Sequence, residues 1–80
     1  MVKRDGAETR RQRIALITKM AHSALHASPK GEISLTKFVA KVMYETGLTQ
    51  EKNMEYLQVP EKMGQFEIDL ENDIIRKPQV

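Results

Sequence analysis

The sequence has no cysteine and no tryptophan, and its only aromatic residues are two tyrosines and two phenylalanines. Without cysteine, neither disulfide bonds nor a thiolate zinc site can support a small core. No apolar run approaches the roughly 20 residues that a membrane-spanning helix needs, and the first residues lack the apolar stretch of a signal peptide. We therefore expect no membrane association and a cytoplasmic location, which the absence of cysteine also favours.

Motifs for catalysis or cofactor binding are also missing. No serine, histidine and carboxylate are grouped in a local motif, and no Gly-rich phosphate loop is present. His22 and His26 are four residues apart and share a helical face, but their neighbour on that face is the cation Lys19 rather than a third ligand. The sequence predicts no enzyme, no cofactor and no metal site, and it places both histidines on the surface.

The charges are divided unequally along a chain whose 80 residues suffice for one domain. Residues 1–41 carry nine Lys and Arg against three Asp and Glu, a net charge of +6. Residues 42–80 carry four against eight, a net charge of −4. This division suits contact between the basic half and a polyanion, and it equally suits head-to-tail pairing with a second copy.

The first predicted helix follows a basic segment. Residues 1–13 form a predicted basic N-terminal arm, and the helix is expected to start near Ala7, so that its first turns extend beyond the core. The apolar residues then recur with helical period on one wide face. These residues are Ile14, Ile17, Met20, Ala21, Ala24 and Leu25. This arc is the predicted contact of a homodimer, and Pro29 and Gly31 end the helix.

Two further helices are predicted after a short strand at residues 32–34. Ser34 is a predicted N-cap, and Gly47 is the predicted left-handed residue after the second helix. The inward stripe of that helix is Leu35, Phe38, Val39, Val42 and Met43. Thr49 is the predicted cap of the third helix, in which Tyr56 points outward and Pro60 causes a break or kink. The inner side of this helix carries Asn53, Met54 and Leu57.

The C-terminal part changes to a period of two residues, which indicates a hairpin. Phe66, Ile68 and Leu70 alternate with Glu67 and Asp69. Residues 71–73 are typical of a turn, after which residues 74–76 can pair with the preceding strand as the second strand of a hairpin.

This order of elements resembles the winged helix-turn-helix family over residues 14–77. The resemblance is carried by residues 33–35, 38–40 and 46–49, by Tyr56-Leu57 and Met63-Gly64, and by the hairpin at residues 66–76. It implies a mainly α fold with a small β-hairpin, consisting of three helices and a two- or three-stranded wing sheet. It also implies a DNA-binding protein that places its third helix in the major groove and its hairpin along the backbone.

The predicted function is binding of duplex DNA by a small, homodimeric transcriptional regulator. Phosphate contacts are expected from the arginines and lysines, and adenine contacts from the amides. The candidate residues are Arg4, Arg10, Arg11, Arg13, Lys37, Lys41, Gln50, Lys52, Asn53 and Tyr56. The acidic residues of the third helix and of the hairpin support an alternative, because they would repel a DNA backbone. In that alternative, the acidic helix and wing bind a protein partner.

Overall fold

The computed structural model describes residues 6–78, with side chains from residue 8 onward. The elements are α1 (Gly6–Ala27), β1 (Glu32–Ser34), α2 (Leu35–Thr46), α3 (Gln50–Lys62), β2 (Glu67–Asp69) and β3 (Ile74–Arg76). Three helices and a three-stranded antiparallel sheet confirm the predicted mainly α fold with a winged helix-like arrangement. In its described part, the predicted arm of residues 1–13 is helical and forms the first turns of α1.

The predicted stops and caps of the helices are confirmed. Ser34 accepts a hydrogen bond from the backbone N–H of Lys37 at the start of α2, and Thr49 accepts one from Lys52 at the start of α3, both at 3.2 Å. Gly47 has a φ of 75° and donates its N–H to the carbonyl of Met43 at 2.9 Å. These contacts satisfy backbone groups that have no partner within a helix.

Of the break or kink predicted at Pro60, the break is wrong, because α3 continues through it to Lys62. Proline removes one helical hydrogen bond, but here it lies in the last turns and its ring is among the most deeply buried side chains. Burial of that ring offsets the missing bond. The helix instead ends before Gly64, whose φ is 80°. The backbone N–H of the next residue, Gln65, donates a hydrogen bond to the carbonyl of Pro60 at 2.9 Å.

The sheet has the strand order β1-β3-β2 with antiparallel pairing throughout. Ile75 in the central strand lies opposite Ile33 of β1 and Ile68 of β2. Ile75 is completely buried and Phe66, just before β2, is 1% exposed. The hairpin is therefore part of the core and also provides the pairing partner of β1.

The core lies between the three helices and one face of the sheet. Its buried apolar residues are Ile17, Ala21, Leu25, Leu35, Phe38, Val39, Val42, Tyr56, Leu57, Phe66 and Ile75. Three side chains predicted to point inward do not: Leu70 is 70% exposed, Met63 is 69% exposed and Met43 is 37% exposed. Leu70 lies in the hairpin turn, after the strand period has ended, and Met43 lies at the edge of the stripe of α2.

The apolar arc of α1 is largely covered by the protein's own core. Ile17, Ala21 and Leu25 are at most 3% exposed, so this arc does not offer the predicted surface for a second copy. No helix in the described part of the chain is both long and apolar enough to cross a membrane.

Candidate nucleic-acid interface

The α1 helix carries cations and, after its first turn, no acidic side chain. The next acidic residue after Glu8 is Glu32, so residues 9–27 of the helix contain no carboxylate side chain. Arg10, Arg11 and Lys19 are exposed, and Arg13 is half-buried. The ion pairs between described residues all lie in α3 and the hairpin. The positive charge of α1 is therefore available to a partner from outside the chain.

A groove between α1 and α2 brings lysines of both helices together. Lys19 of α1 and Lys41 of α2 line it beside the apolar Leu16 and Met20, with Glu45 as the acidic member. Lys37 precedes Lys41 by four residues and so shares its face of α2. Lys37 and Lys41 are both exposed. The α1–α2 face, as we call this surface, consists of Lys19, Lys37 and Lys41 together with Arg13, which precedes the groove residues Leu16 and Met20 by three and seven residues. Arg11 lies on another side of α1, in a depression shared with Pro60 and Met63.

The candidate residues on α3 do not join this face. Gln50 is exposed at the first position of the helix, and Lys52 makes an ion pair with Glu55 at 3.5 Å. Asn53 is 1% exposed and Tyr56 is 8% exposed, so neither side chain can reach a base edge. The predicted outward orientation of Tyr56 is wrong, and the DNA contacts assigned to Asn53 and Tyr56 do not fit this burial. Arg4 lies outside the described residues.

The sequence does contain the signal for the buried side of α3. Its buried residues are Asn53, Tyr56, Leu57 and Pro60, whose spacing of i, i+3, i+4 and i+7 is that of a helical face. The prediction placed Asn53 and Leu57 on this inner face, but it pointed Tyr56 outward and expected a break or kink at Pro60. It also left out Lys19, which the long acid-free stretch of α1 could have indicated.

Two carboxylates of the hairpin have internal partners. Asp69 accepts hydrogen bonds from the side chain and backbone of Asn72 at 2.8 and 3.1 Å, and from Arg76 Nη2 at 2.8 Å. The bonds from Asn72, followed by the charge of Arg76, hold the pKa of Asp69 below its usual value. Arg76 also lies 3.6 Å from a carboxylate oxygen of Glu67. One arginine is therefore the cationic partner of two of the hairpin's carboxylates.

Asp73 connects the hairpin to the start of α2. Its carboxylate accepts hydrogen bonds from the backbone N–H of Thr36 at 3.1 Å, from the Thr36 hydroxyl at 2.7 Å and from the Ser34 hydroxyl at 3.1 Å. Its carbonyl accepts the N–H of Leu35 at 2.9 Å. An anion is favourable at a helix N-terminus, so this acid has a structural role.

The opposite side of α2 has the reverse charge. A depression of about 340 Å³ lies between α2, α3 and the hairpin turn, and it continues onto the outer side of α3 through Gln50 and Met54. We call this surface the acidic groove. Its apolar lining is Leu35, Val39, Ala40, Met43, Met54 and Leu70. Glu51, Glu55 and Asp73 line it as well, whereas no described lysine or arginine does.

The two histidines share a shallow depression at the end of α1. His22, His26 and Lys77 line it, and the ring of His22 meets the ring of Phe66 edge-on at 6.3 Å. Within residues 8–78, no three histidine or carboxylate side chains form a group that could hold a metal ion.

Comparisons of the chain with protein-family models, with curated proteins and with solved structures gave no match. The fold is therefore assigned from the arrangement of its elements, and the functional argument depends on the surfaces described above.

Proposed function

We propose that this protein binds duplex DNA through the α1–α2 face and acts in the cytoplasm as a small transcriptional regulator. The observation that carries the proposal is that α1 has cations but no acidic residue after its first turn, and that its Lys19 lies beside Lys41 of α2 in one groove. Electrostatic contact with phosphates supplies most of the affinity of non-specific DNA binding. A helix of 22 residues is about 33 Å long, so α1 can follow several successive phosphates.

This mode of binding differs from the docking that the winged helix resemblance implies. In that docking, α3 would enter the major groove, and the acidic groove with Glu51, Glu55 and Leu70 would face the phosphates. Carboxylates there oppose DNA affinity, whereas the α1–α2 face supports it. We therefore assign the DNA contacts to Arg13, Lys19, Lys37 and Lys41 of this face, and to the exposed Arg10 and Arg11 in the first turns of α1.

The test is the salt dependence of binding to a random duplex, measured by fluorescence anisotropy. Each phosphate neutralised contributes about −0.9 to the slope of log affinity against log salt concentration. The variant Lys19→Gln/Lys41→Gln should bind more weakly, with a slope less steep by about 1.8. The matched control is Lys52→Gln/Lys62→Gln, which removes two exposed charges from α3 and should leave the slope unchanged.

Two results would contradict the proposal. The first is absence of binding by the native protein at low salt, where electrostatic affinity is greatest. The second is a change of slope in the α3 control but not in the α1–α2 variant, which would place the DNA on α3.

A further inference from the structure

We infer that the acidic groove binds the arginine-bearing first turns of α1 from a second copy of this chain. The acidic groove is separate from the α1–α2 face, but the arginines that enter it are among the proposed DNA contacts; self-association can nevertheless be tested without DNA. It follows from the chemistry of the groove, from the chemistry of the segment that fits it, and from the sign of their charges.

The groove combines exposed apolar side chains with carboxylates. Leu70 is 70% exposed and Met43 is 37% exposed, beside the half-buried Met54. The side chains of Glu51 and Glu55 lie where the groove opens onto α3, and Asp73 lies at the hairpin end. The Asp73 carboxylate is already bonded to Ser34 and Thr36, and Glu55 lies 3.5 Å from Lys52 in an exposed pair. A partner that fits this surface therefore has apolar groups to cover Leu70 and cations to meet Glu51 and to compete with Lys52 for Glu55.

Arginine side chains provide both properties. The methylene stem covers apolar surface, while the guanidinium reaches a carboxylate and binds it with paired hydrogen bonds. Arg10, Arg11 and Arg13 precede Ile14, the first residue of α1 that packs against the core. These turns extend beyond the core, in a molecule 48 Å long and only 26 by 22 Å across. None of these arginines pairs with an acid among the described residues.

The signs of the charges decide how two copies meet. Two acidic grooves placed face to face would bring carboxylates against carboxylates, which is unfavourable. The first turns of α1 in one copy and the groove of the next have opposite charges. The contact is therefore head-to-tail, and a pair of copies keeps one free groove and one free α1 end.

The experiment uses two variants of the full chain, neither of which should associate alone. The groove variant is Glu51→Lys/Glu55→Lys, and the arm variant is Arg10→Gln/Arg11→Gln/Arg13→Gln. Sedimentation velocity at low ionic strength should show association of the native protein that increases with concentration, but only monomers for each variant. An equimolar mixture should form a one-to-one dimer, because it retains one intact groove and one intact arm. Far-UV circular dichroism establishes that both variants are folded.

A matched pair of single substitutions tests the apolar part of the groove. Leu70 and Met63 are 70% and 69% exposed, but only Leu70 lines the groove. Leu70→Lys should abolish self-association, and Met63→Lys should leave it unchanged.

Three results would overturn the inference. They are a monomeric native protein at millimolar concentration, an arm variant that still associates with itself, and a mixture of the two variants that stays monomeric. All of these measurements are made without DNA, so they do not depend on whether the DNA proposal holds.

Discussion

Asn53 is a buried polar residue whose side chain has no partner. It is 1% exposed on α3, and neither its amide nitrogen nor its amide oxygen makes a hydrogen bond with a described residue. Leaving a buried amide unpaired costs about 1–3 kcal/mol. Asn53 therefore lowers the stability of a domain that is too small to bury a large fraction of its surface.

We expect Asn53→Leu to increase the free energy of unfolding by about 1–2 kcal/mol, because an apolar side chain of similar size removes the unpaired amide. Urea unfolding followed by circular dichroism measures this change. The control is Gln58→Leu on the exposed side of the same helix, where we expect a change within about 0.5 kcal/mol. A loss of stability in Asn53→Leu would mean that the amide has a partner, such as a buried water molecule.

Among the elements, the hairpin turn and α2 depend on each other through Asp73. This residue has a φ of 57°, a left-handed conformation that aspartate tolerates better than most residues. Its carboxylate bonds to Ser34 and Thr36 at the start of α2. The helix start and the hairpin are thus held by one side chain.

Asp73→Ala should therefore lower the free energy of unfolding by about 2 kcal/mol, since it removes the hydrogen bonds to a charged acceptor and strains the turn. Thermal and urea unfolding measure this loss. Glu71→Ala, two residues earlier in the same turn, is the control and should change stability by less than about 0.5 kcal/mol. Equal effects of both substitutions would show that loss of negative charge, rather than the contact with α2, is responsible.

The elements also show which parts of the fold could be predicted from the sequence. Ser34, Gly47 and Thr49 act on backbone groups within a few residues, so the local sequence was sufficient to predict these helix caps and stops. Tyr56 and Pro60 are buried because α3 packs against both α1 and α2, and that environment is created by residues far away in the sequence.

Part of the candidate site could also be predicted from the sequence. The excess of cations in the first half of the chain identified Arg13, Lys37 and Lys41, which lie on the α1–α2 face. The acid-free stretch of α1 could have indicated Lys19 as a further cation, but its position beside Lys41 depends on how α1 packs against α2.

For the whole molecule, the two proposals share the arginines at the start of α1. A duplex that covers Arg10, Arg11 and Arg13 leaves them unable to enter the acidic groove of another copy. Two ligands that exclude each other weaken each other's binding by the same factor. The protein would then exist either on DNA or in head-to-tail assemblies.

Addition of a short duplex, about one helical turn in length, should therefore dissociate the self-associated protein. Sedimentation velocity with labelled protein measures the change, and free nucleotides at the same phosphate concentration are the control for screening. Assemblies that persist while the duplex is bound would show that the two surfaces are independent.

The central position of β3 has a consequence for how the chain folds. Its partners are β1, at residues 32–34, and β2, so the sheet joins segments from both halves of the sequence. On a ribosome, all three helices are made before residues 74–76 emerge. Until then β1 has no strand to pair with, and the site of Ile75 in the core is open. The last-made strand thus completes the fold, so a nascent chain stalled before it would expose apolar surface to chaperones and proteases.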